Sequence, residues 1–302
     1  MKVLIITSGN KKIISPFVKA QAQSLESMGV EIDYFLIHGK GILGYLENYF
    51  TLVKLVAKKE YDLLHAHYGL SGLLATLQRK RPVITTFHGS DVNLKKNYIF
   101  SLIASKLSTE NIFVHPDLAR DLKVFSTKKN IIPCGVDTKI FYPILKSKAR
   151  KKLNWKKNIN YVLFSSSFDN KIKNVSLAKS AIKKLKQTVL IELRNFQNTE
   201  INMMLNASDM LLVTSLSETG PIIVKEALAC NCPVVSTDVG DVKEIIKNIE
   251  NCYLTNYNSD QLSKIIKKVI ELNIRSNGRD FMQKYDLNMI AKQVIKIYYQ
   301  VK

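Results

Sequence analysis

Short apolar runs alternate with segments of helical spacing along the chain, and this alternation constrains the fold more than any other feature. Runs such as Val3–Ser8, Val83–Phe87 and Met210–Thr214 have the length of buried strands. Amphipathic segments long enough for helices separate them. This pattern indicates βαβ units. The sequence therefore predicts an α/β protein with doubly wound parallel sheets.

The alternation is interrupted once, over Cys134–Pro143 and the Lys-rich stretch that follows, and a second series of strand-like runs begins at Tyr161. A chain of 302 residues has the length of two ordinary domains. We predict an N-terminal Rossmann-like domain over residues 1–143 and a C-terminal one over residues 144–285. Ligands bind beyond the carboxyl ends of the strands in such sheets, so we expect the site in a central cleft between facing domains.

The net charge is +20, from 45 Lys and Arg against 25 Asp and Glu, and it is spread over both halves. Lys dominates and no Arg-rich motif occurs, so we expect no nucleic-acid partner. Two explanations stay open: a general bias towards Lys, Asn and Ile, or a basic face for anionic lipid or substrate. No apolar run is long enough to span a bilayer and no signal peptide is evident. We expect a cytoplasmic protein and leave open a peripheral position on the inner membrane face.

The segment from Ser215 to Glu244 is the most informative about binding. Gly220 and Pro221 follow a strand-like run and precede a helical one, which predicts a helix with proline at its first position. The amides of Ile222 and Ile223 then have no acceptor within the helix. Free amides and the helix dipole favour an anion at this point.

Two carboxylates flank this predicted anion site. Glu218 lies just before the helix and Glu226 lies two turns inside it. A carboxylate repels a phosphate, so each is better explained as an acceptor of hydrogen bonds from hydroxyl groups on either side of the anion. An anion with hydroxyl groups on both sides describes a nucleotide sugar.

The same residues carry a resemblance to a known family. The E-x7-E pair of Glu218 and Glu226, with the following ALACNCPVVSTDVGD, resembles the family 4 (group 1) glycosyltransferases of GT-B fold. Further matching segments are IIPCGVDTKIFYP at 131–143, FSSSFDNKIKN at 164–174, HAHYGLSG at 65–72 and TFHGSD at 86–91. The resemblance covers essentially the whole chain.

The resemblance implies a retaining hexosyltransferase that needs no metal and no cofactor. The donor would be a nucleotide diphosphate sugar, and the acceptor a glycan or a lipid-linked glycan in surface polysaccharide biosynthesis. Two other functions stay open: a catalytically silent nucleotide-sugar binding partner subunit, and a GT-B sugar-nucleotide epimerase or hydrolase.

The resemblance also implies roles for residues on the donor side. Glu226 would accept from the ribose hydroxyls and Glu218 from a hydroxyl of the donor sugar. Lys173 would neutralise the diphosphate as it leaves. The catalytic residues expected from the resemblance are His88, Lys173 and Glu218.

This chain departs from the family at two places on the donor side. Ser167 stands where the family usually has Arg, and Lys171 is the candidate to replace that charge. Thr219, Gly220 and Pro221 stand where Gly-Phe-Pro is usual, so we expect a modified sugar pocket. The expected donor-binding residues are Gly9, Ser167, Lys171, Lys173, Glu218, Thr219, Gly220, Pro221, Ile222, Ile223 and Glu226.

In the N-terminal half, His88 matches the family position that contacts the donor sugar or phosphate. His67 and Asp91 are the acceptor-side candidates, and Gly9 matches the glycine loop after the first strand. A structural explanation stays open for each of them. The histidines would hydrogen-bond to loop backbone at the strand ends, Asp91 would cap a helix, and Gly9 would form a turn.

Two further segments have two interpretations each. The last helix, at residues 286–302, has an apolar stripe at Ile290, Val294, Ile297 and Tyr298. The resemblance suggests that it packs back onto the N-terminal domain, and the other interpretation is a helix lying on a membrane. The segment Lys40–Lys59 mixes aromatic, aliphatic and Lys residues, which fits either contact with a membrane or a core helix with a solvated edge.

Overall fold

The computed structural model describes residues 1–10, 14–39, 41–123 and 129–302. The chain divides into two compact units, residues 1–135 with 287–302, and residues 136–286. Each unit is a parallel sheet covered by helices, so the predicted fold class of two parallel α/β units is confirmed. The predicted boundary at residue 143 lies inside the second unit.

The strands lie close to the predicted apolar runs. They are β1 (Lys2–Ser8), β2 (Glu31–Ile37), β3 (Leu63–His67), β4 (Val83–Phe87), β5 (Glu110–Phe113), β6 (Asn130–Ile131), β7 (Asn160–Phe164), β8 (Thr188–Glu192), β9 (Met210–Val213), β10 (Val234–Thr237) and β11 (Tyr253–Thr255). The first sheet has the order β2-β1-β3-β4-β5-β6 and the second has the order β11-β10-β9-β7-β8. Because all neighbours pair in parallel, the carboxyl ends of the strands meet at one edge of each sheet.

The helices connect these strands. They are α1 (Pro16–Glu26), α2 (Gly41–Leu46), α3 (Tyr49–Lys58), α4 (Gly69–Thr76), α5 (Ser90–Asn93), α6 (Lys95–Leu107), α7 (Pro116–Asp121), α8 (Lys146–Lys152), α9 (Val175–Ile182), α10 (Asn198–Ala207), α11 (Ile222–Ala229), α12 (Val242–Ile246), α13 (Ser259–Leu272), α14 (Gly278–Met282) and α15 (Leu287–Val301).

Both faces of the first sheet are buried, as the unbroken apolar run of β1 requires. Side chains alternate along a strand, so Val3 and Ile5 point to one face while Leu4 and Ile6 point to the other. Val3 and Ile5 contribute to the core formed with α1 and α15. Leu4 and Ile6 contribute to the core formed with α3 and α4.

Helix α15 belongs to the first unit although it is the last element of the chain. Its predicted stripe is buried, and Val294 and Tyr298 pack in the core beside α1. The Tyr298 hydroxyl also lies 2.6 Å from Nδ1 of His65 on β3. The chain therefore completes the first unit with its last helix.

Helices α4 and α6 approach each other closely because one residue in their contact is glycine. A Cβ atom on Gly69 would lie 2.0 Å from Oγ of Ser101. The Ser101 hydroxyl instead donates a 2.7 Å hydrogen bond to the carbonyl of Asp91. This contact presses one side of α6 against α4 and leaves its other side outward.

In the second unit, the predicted start of the helix after β9 is wrong by one residue. Pro221 is the residue before α11 and Ile222 is its first residue, because the ψ angle of Pro221 is an extended 108°. The first backbone hydrogen bond of this turn runs from the amide of Val224 to the carbonyl of Pro221, at 3.0 Å. The amides of Ile222 and Ile223 remain at the start of the helix, where no intrahelical acceptor exists.

The segment Lys40–Lys59 forms α2 and α3, with Lys40 itself outside the described residues. Leu52 and Val56 enter the core, whereas Leu43 and Phe50 are 77% and 71% exposed. Among the described residues, no helix is long and apolar enough to cross a membrane.

Candidate functional site

The predicted donor-side residues gather at the carboxyl edge of the second sheet. Ser167, Lys171 and Lys173 lie in the loop after β7, Glu218 to Pro221 lie after β9, and Glu226 lies on α11. Since β7 and β9 are neighbours in the sheet, their following loops lie side by side.

Lys173 and Glu218 form a direct ion pair, with 2.5 Å between Nζ and Oε1. The hydroxyl of Ser215 donates to the same Oε1 atom, at 2.7 Å. Their side chains are only 18% and 15% exposed, so the pair is partly shielded from water. Both bonds use Oε1, and within the described ranges no residue donates a hydrogen bond to Oε2. One carboxylate oxygen and the other ammonium protons are available to a ligand.

The position of Lys173 is fixed by its backbone. The hydroxyl of Thr214, the residue after β9, donates to the carbonyl of Lys173 at 2.9 Å and to that of Asn174 at 3.0 Å. Asn174 adopts the left-handed conformation, with φ of 52°, which ends the turn and starts α9. These contacts tie the loop after β7 to the segment after β9 that carries Glu218.

Glu226 is a partly buried carboxylic acid in the second turn of α11. Burial raises its pKa to about 7, because the charged form loses hydration. In the part of the chain that the structure describes, no side chain donates a hydrogen bond to it. A carboxyl group in this state is a ready acceptor for a hydroxyl group of a ligand.

A buried ion pair supports the loop between the two glutamates. Nζ of Lys225 lies 3.0 Å from Oδ2 of Asp241, and the Lys225 side chain is 1% exposed. A Cβ atom on Gly220 would lie 3.2 Å from this carboxylate, and one on Gly240 would lie 2.6 Å from the carbonyl of Thr219. The sequence does not predict this pair, because a lysine and an aspartate sixteen positions apart give no periodic signal.

A second cation that the sequence reasoning missed lies beside Ser167. The Ser167 hydroxyl donates to Oδ1 of Asp169 at 2.6 Å, and Nη2 of Arg194 donates to Oδ2 of the same carboxylate at 3.0 Å. Arg194 follows β8, the neighbour of β7, and its guanidinium is half exposed. Lys171 is exposed, and within the described ranges it pairs with no carboxylate. The position of Arg194 after a strand next to β7 was the available signal.

In the first unit, three predicted residues end or follow neighbouring strands. Gly9 follows β1, His67 ends β3 and His88 follows β4. The Gly9 amide donates to the carbonyl of Ile37 at 2.8 Å, and a Cβ atom on Gly9 would lie 2.8 Å from Cε1 of His38. Close packing at the end of β2 thus accounts for this glycine.

Three histidines form a chain of contacts at this edge. Nδ1 of His67 lies 3.0 Å from Nε2 of His88, and the His65 ring stacks on that of His67. Nε2 of His65 lies 2.7 Å from the hydroxyl of Thr86. Burial lowers the pKa of His65 and of His88 to about 3, and it lowers the pKa of His67 well below its usual value. The cluster is therefore uncharged at neutral pH.

Asp91 holds the loops around the histidines. Its Oδ1 accepts from the amides of His88 and Gly89 at 3.1 and 2.8 Å, and its Oδ2 accepts from the amide of Gly69 at 3.1 Å. Burial raises the pKa of Asp91 to about 6, although these amides act in the opposite direction. These contacts give Asp91 a structural role in holding the loops, and its place on the acceptor side stays a prediction.

His88 also lines a small cavity of about 20 Å³ within the first unit. Phe17 and Gln21 of α1 form another part of the wall, and the ring centroids of Phe17 and His88 are 4.8 Å apart. Among the described residues, no three His, Cys, Asp or Glu side chains are grouped so that they could hold a metal ion. The expected absence of a metal requirement stays a prediction.

Two models of glycosyltransferase families match different parts of this chain. Residues 13–140 match the sequence model of Glycosyltransferase Family 4, and residues 189–286 match that of Glycosyl transferases group 1. The N,N'-diacetylbacillosaminyl-diphospho-undecaprenol alpha-1,3-N-acetylgalactosaminyltransferase of Campylobacter jejuni is 26% identical over 85% of this chain and 81% of its own length.

Solved structures share the fold of the chain. The sucrose-phosphate synthase of Thermosynechococcus elongatus has a TM-score of 0.83 at 18% identity, over 99% of this chain and 98% of that one. Anabaena HepE in complex with UDP-glucose has a TM-score of 0.79 at 17% identity, over 99% of this chain and all of that one. At these identities the likeness establishes the architecture alone.

Proposed function

Because the chain belongs to the group 1, family 4 glycosyltransferases and has the GT-B fold, we propose that it transfers a hexose from a nucleotide diphosphate sugar with retention of configuration. The proposed acceptor is a glycan or a lipid-linked glycan of surface polysaccharide biosynthesis. The proposed reaction needs no metal ion.

One observation carries the proposal. Glu226 is a partly buried carboxyl group with a pKa of about 7, and it lies on the helix whose first amides have no acceptor within the helix. A buried acceptor beside an anion-binding helix start fits a nucleotide, whose ribose hydroxyls donate while its phosphates accept. In this arrangement Glu226 binds the ribose, and the amides of Ile222 and Ile223 lie towards the phosphates.

The Lys173–Glu218 pair suits the bond-breaking step. Cleavage of the anomeric C–O bond leaves negative charge on the departing diphosphate, and a positioned ammonium group stabilises that charge most where water is limited. Lys173 has further protons beyond the one bound by Glu218, and Oε2 of Glu218 accepts from a sugar hydroxyl. We keep His88 as a predicted catalytic residue, in its neutral form.

Arg194 is our candidate for the charge that Ser167 lacks. It belongs to the same edge of the sheet, and it approaches Asp169, which the Ser167 hydroxyl also contacts. Lys171 is the other candidate in that loop. Both side chains are exposed enough to move towards a diphosphate.

The nature of donor and acceptor is proposed from the relatives. The Campylobacter relative is named for transfer to a diphospho-undecaprenol-linked sugar, and HepE was solved with UDP-glucose. We therefore propose a UDP-sugar as the first donor to test and a polyprenyl-diphosphate glycan as the first acceptor. A lipid-linked acceptor also agrees with the proposed position of the protein in the cytoplasm, against the inner face of the membrane.

A catalytically silent nucleotide-sugar binding subunit is the second candidate. Serine at position 167 supports it, because the side chain is neutral and its hydroxyl is engaged by Asp169. This candidate predicts nucleotide binding without turnover of the donor.

Ligand-observed NMR with UDP, GDP, ADP, CMP and their common sugars tests the proposal, with Glu226→Ala as the control. Selective binding of one nucleotide sugar that is lost in Glu226→Ala is the expected result. Turnover of that donor with a lipid-linked acceptor then separates the enzyme from the silent subunit. A folded wild-type protein that binds no member of the panel would contradict the proposal.

A further inference from the structure

The outward face of α6 combines aliphatic and basic side chains. Ile99, Ile103 and Leu107 recur every four residues and are 50%, 38% and 50% exposed. Lys95, Lys96 and Lys106 are exposed on the same side, and the helix has no acidic residue. Residues four apart lie on one side of a helix, so the aliphatic side chains form a continuous stripe. Isolated exposed apolar residues are ordinary, but a stripe rimmed by cations indicates an interaction surface.

A basic cup lies at the end of this stripe. It is an open hollow of about 430 Å³ whose lining includes Arg79, Lys80, Arg81 and Leu107. Leu107 belongs to both features, so the stripe and the cup form one surface. We call this the α6 surface.

The loop that carries the cations of the cup is held by Gln78. This side chain is 5% exposed, and its Oε1 accepts from the amides of Lys80 and Arg81 at 2.8 and 2.9 Å. Its Nε2 donates to the carbonyl of Arg81 at 2.8 Å. Arg79 completes the turn in the left-handed conformation, with φ of 53°. Within the described residues, no carboxylate pairs with the three cations, although a fixed loop holds them together.

The α6 surface connects the two edges of the first sheet. Helix α6 follows β4 and precedes β5, so it runs from the carboxyl edge, near Asp91, back to the opposite edge, where the cup lies. Its 13 residues span roughly 20 Å. A flat partner lying along α6 would thus reach from the cup to the edge that carries His88.

We propose that the α6 surface binds an anionic lipid bilayer, with the aliphatic stripe in the headgroup boundary and lipid phosphates in the cup. Side chains of this type favour the boundary because the aliphatic groups leave water while the cations attract anionic headgroups. A second copy of the chain fits worse, because symmetric pairing would bring the same cations face to face. The inference rests on the proposed function only in that a lipid-linked acceptor requires access to a membrane.

Sedimentation of the full chain with vesicles tests the inference, using phosphatidylcholine alone and phosphatidylcholine mixed with phosphatidylglycerol. We expect binding to the mixed vesicles only. The triple variant Arg79→Gln, Lys80→Gln, Arg81→Gln should bind the mixed vesicles with an affinity lower by at least roughly tenfold. The double variant Ile99→Ser, Ile103→Ser should also lose roughly tenfold.

Matched controls come from the second unit. Lys183→Gln, Lys186→Gln, Lys247→Gln removes the same charge from exposed lysines, and Leu272→Ser, Ile274→Ser removes exposed aliphatic groups. Both controls should bind vesicles nearly as the wild type does. If the triple control variant loses as much vesicle binding as the triple variant of the cup, the inference is overturned, because the effect would then depend on total charge alone.

Two other results would also overturn it. If Leu43→Ser, Phe50→Ser abolishes vesicle binding and the α6 variants do not, α2 and α3 form the membrane surface. If light scattering shows a dimer that Ile99→Ser, Ile103→Ser converts to a monomer, the stripe is an interface between copies. Nucleotide-sugar binding should be unchanged in every α6 variant. If the wild type binds vesicles but no nucleotide sugar, that result contradicts the proposed function and still supports the α6 surface as a membrane-binding surface.

Discussion

Nδ1 of His67 and Nε2 of His88 lie 3.0 Å apart, and the opposite nitrogen of His67 is buried without a hydrogen-bond partner among the described residues. Both rings are neutral, so one nitrogen in this contact donates and the other accepts. An orphaned buried N–H costs more than an orphaned acceptor, which favours the proton of His67 on Nδ1. His67 then donates to His88, and the proton of His88 lies on Nδ1.

Long-range proton–nitrogen NMR of the five histidines checks this tautomer directly. We expect the Nδ1-protonated form of His88 in the wild type and a mixture of both forms in His67→Leu, because that variant removes the donor. His38→Asn serves as the control and should leave His88 unchanged. Observation of the Nε2-protonated form of His88 in the wild type would contradict the assignment.

Replacement of Lys173 by Ala should lower donor turnover by about 10²- to 10³-fold, because the leaving diphosphate loses its positioned cation. Thermal unfolding should change little, since a partly exposed ion pair contributes about 0–1 kcal/mol. Lys171→Ala changes the same loop at a lysine that, within the described ranges, pairs with no carboxylate, and it should have the smaller effect. Equal donor turnover in Lys173→Ala and in the wild type would contradict the proposed role of Lys173 at the leaving diphosphate.

Binding of a nucleotide should release a proton through Glu226. Its pKa of about 7 means that most molecules carry the proton near pH 6.5. Two ribose hydroxyls donating to the carboxylate favour the charged form, so binding at about pH 6.5 should release roughly three quarters of a proton. Calorimetry in two buffers of different ionisation enthalpy measures this release. Glu226→Gln should abolish it, and a wild-type signal independent of buffer would contradict the role.

The same pKa predicts a pH dependence of stability. The folded pKa lies above the unfolded value of about 4.5, so the folded state binds more protons between these two values. The contribution of Glu226 is therefore most favourable at low pH and is lost as the pH rises from about 4.5 through 7. Glu226→Gln should gain stability relative to the wild type at about pH 8 and lose that advantage at about pH 4.5. Urea unfolding at both values checks the sign.

Asp241→Ala should destabilise the second unit by about 3 kcal/mol, because Lys225 would be left buried without its partner. The double variant Lys225→Met, Asp241→Ala should recover much of the loss. Fluorescence of Trp155, the one tryptophan of the chain, follows unfolding of this unit during a urea titration. Asp260→Asn serves as the control: it breaks an exposed ion pair with Lys184 and should leave the free energy of unfolding unchanged.

Treatment with EDTA should leave donor turnover intact, because the proposed mechanism places Lys173 and the start of α11 at the diphosphate. Turnover before and after chelation, with and without added Mg²⁺ or Mn²⁺, measures this. A strict requirement for either ion would contradict the metal-free reaction.

Local patterns in the sequence predicted the parallel sheets, because buried strands such as β1 are continuous apolar runs with residues on both faces. The family resemblance, and not these patterns, placed Lys173 and Glu218 on the same donor side, and the structure brings them into an ion pair because β7 and β9 are neighbours in the sheet. The patterns did not predict Arg194 beside Ser167 or the Lys225–Asp241 pair. The Lys225–Asp241 pair depends on side-chain packing, for which spacing along the chain carries no signal, whereas the position of Arg194 after a strand was a signal whose use required the order of the strands. The engagement of Asp91 by three amides was hidden for the same reason.

The placement of α15 in the first unit has a consequence for biosynthesis. Residues 136–286 form a continuous piece of chain, so the second unit has all its residues as soon as that piece leaves the ribosome. The first unit begins earlier but lacks α15 until residues 287–302 have left the ribosome, and until then His65 has no Tyr298 hydroxyl to contact. Of the two units, the one that begins first is thus completed second, and a nascent chain stalled before residue 287 would expose the apolar surface that α15 covers.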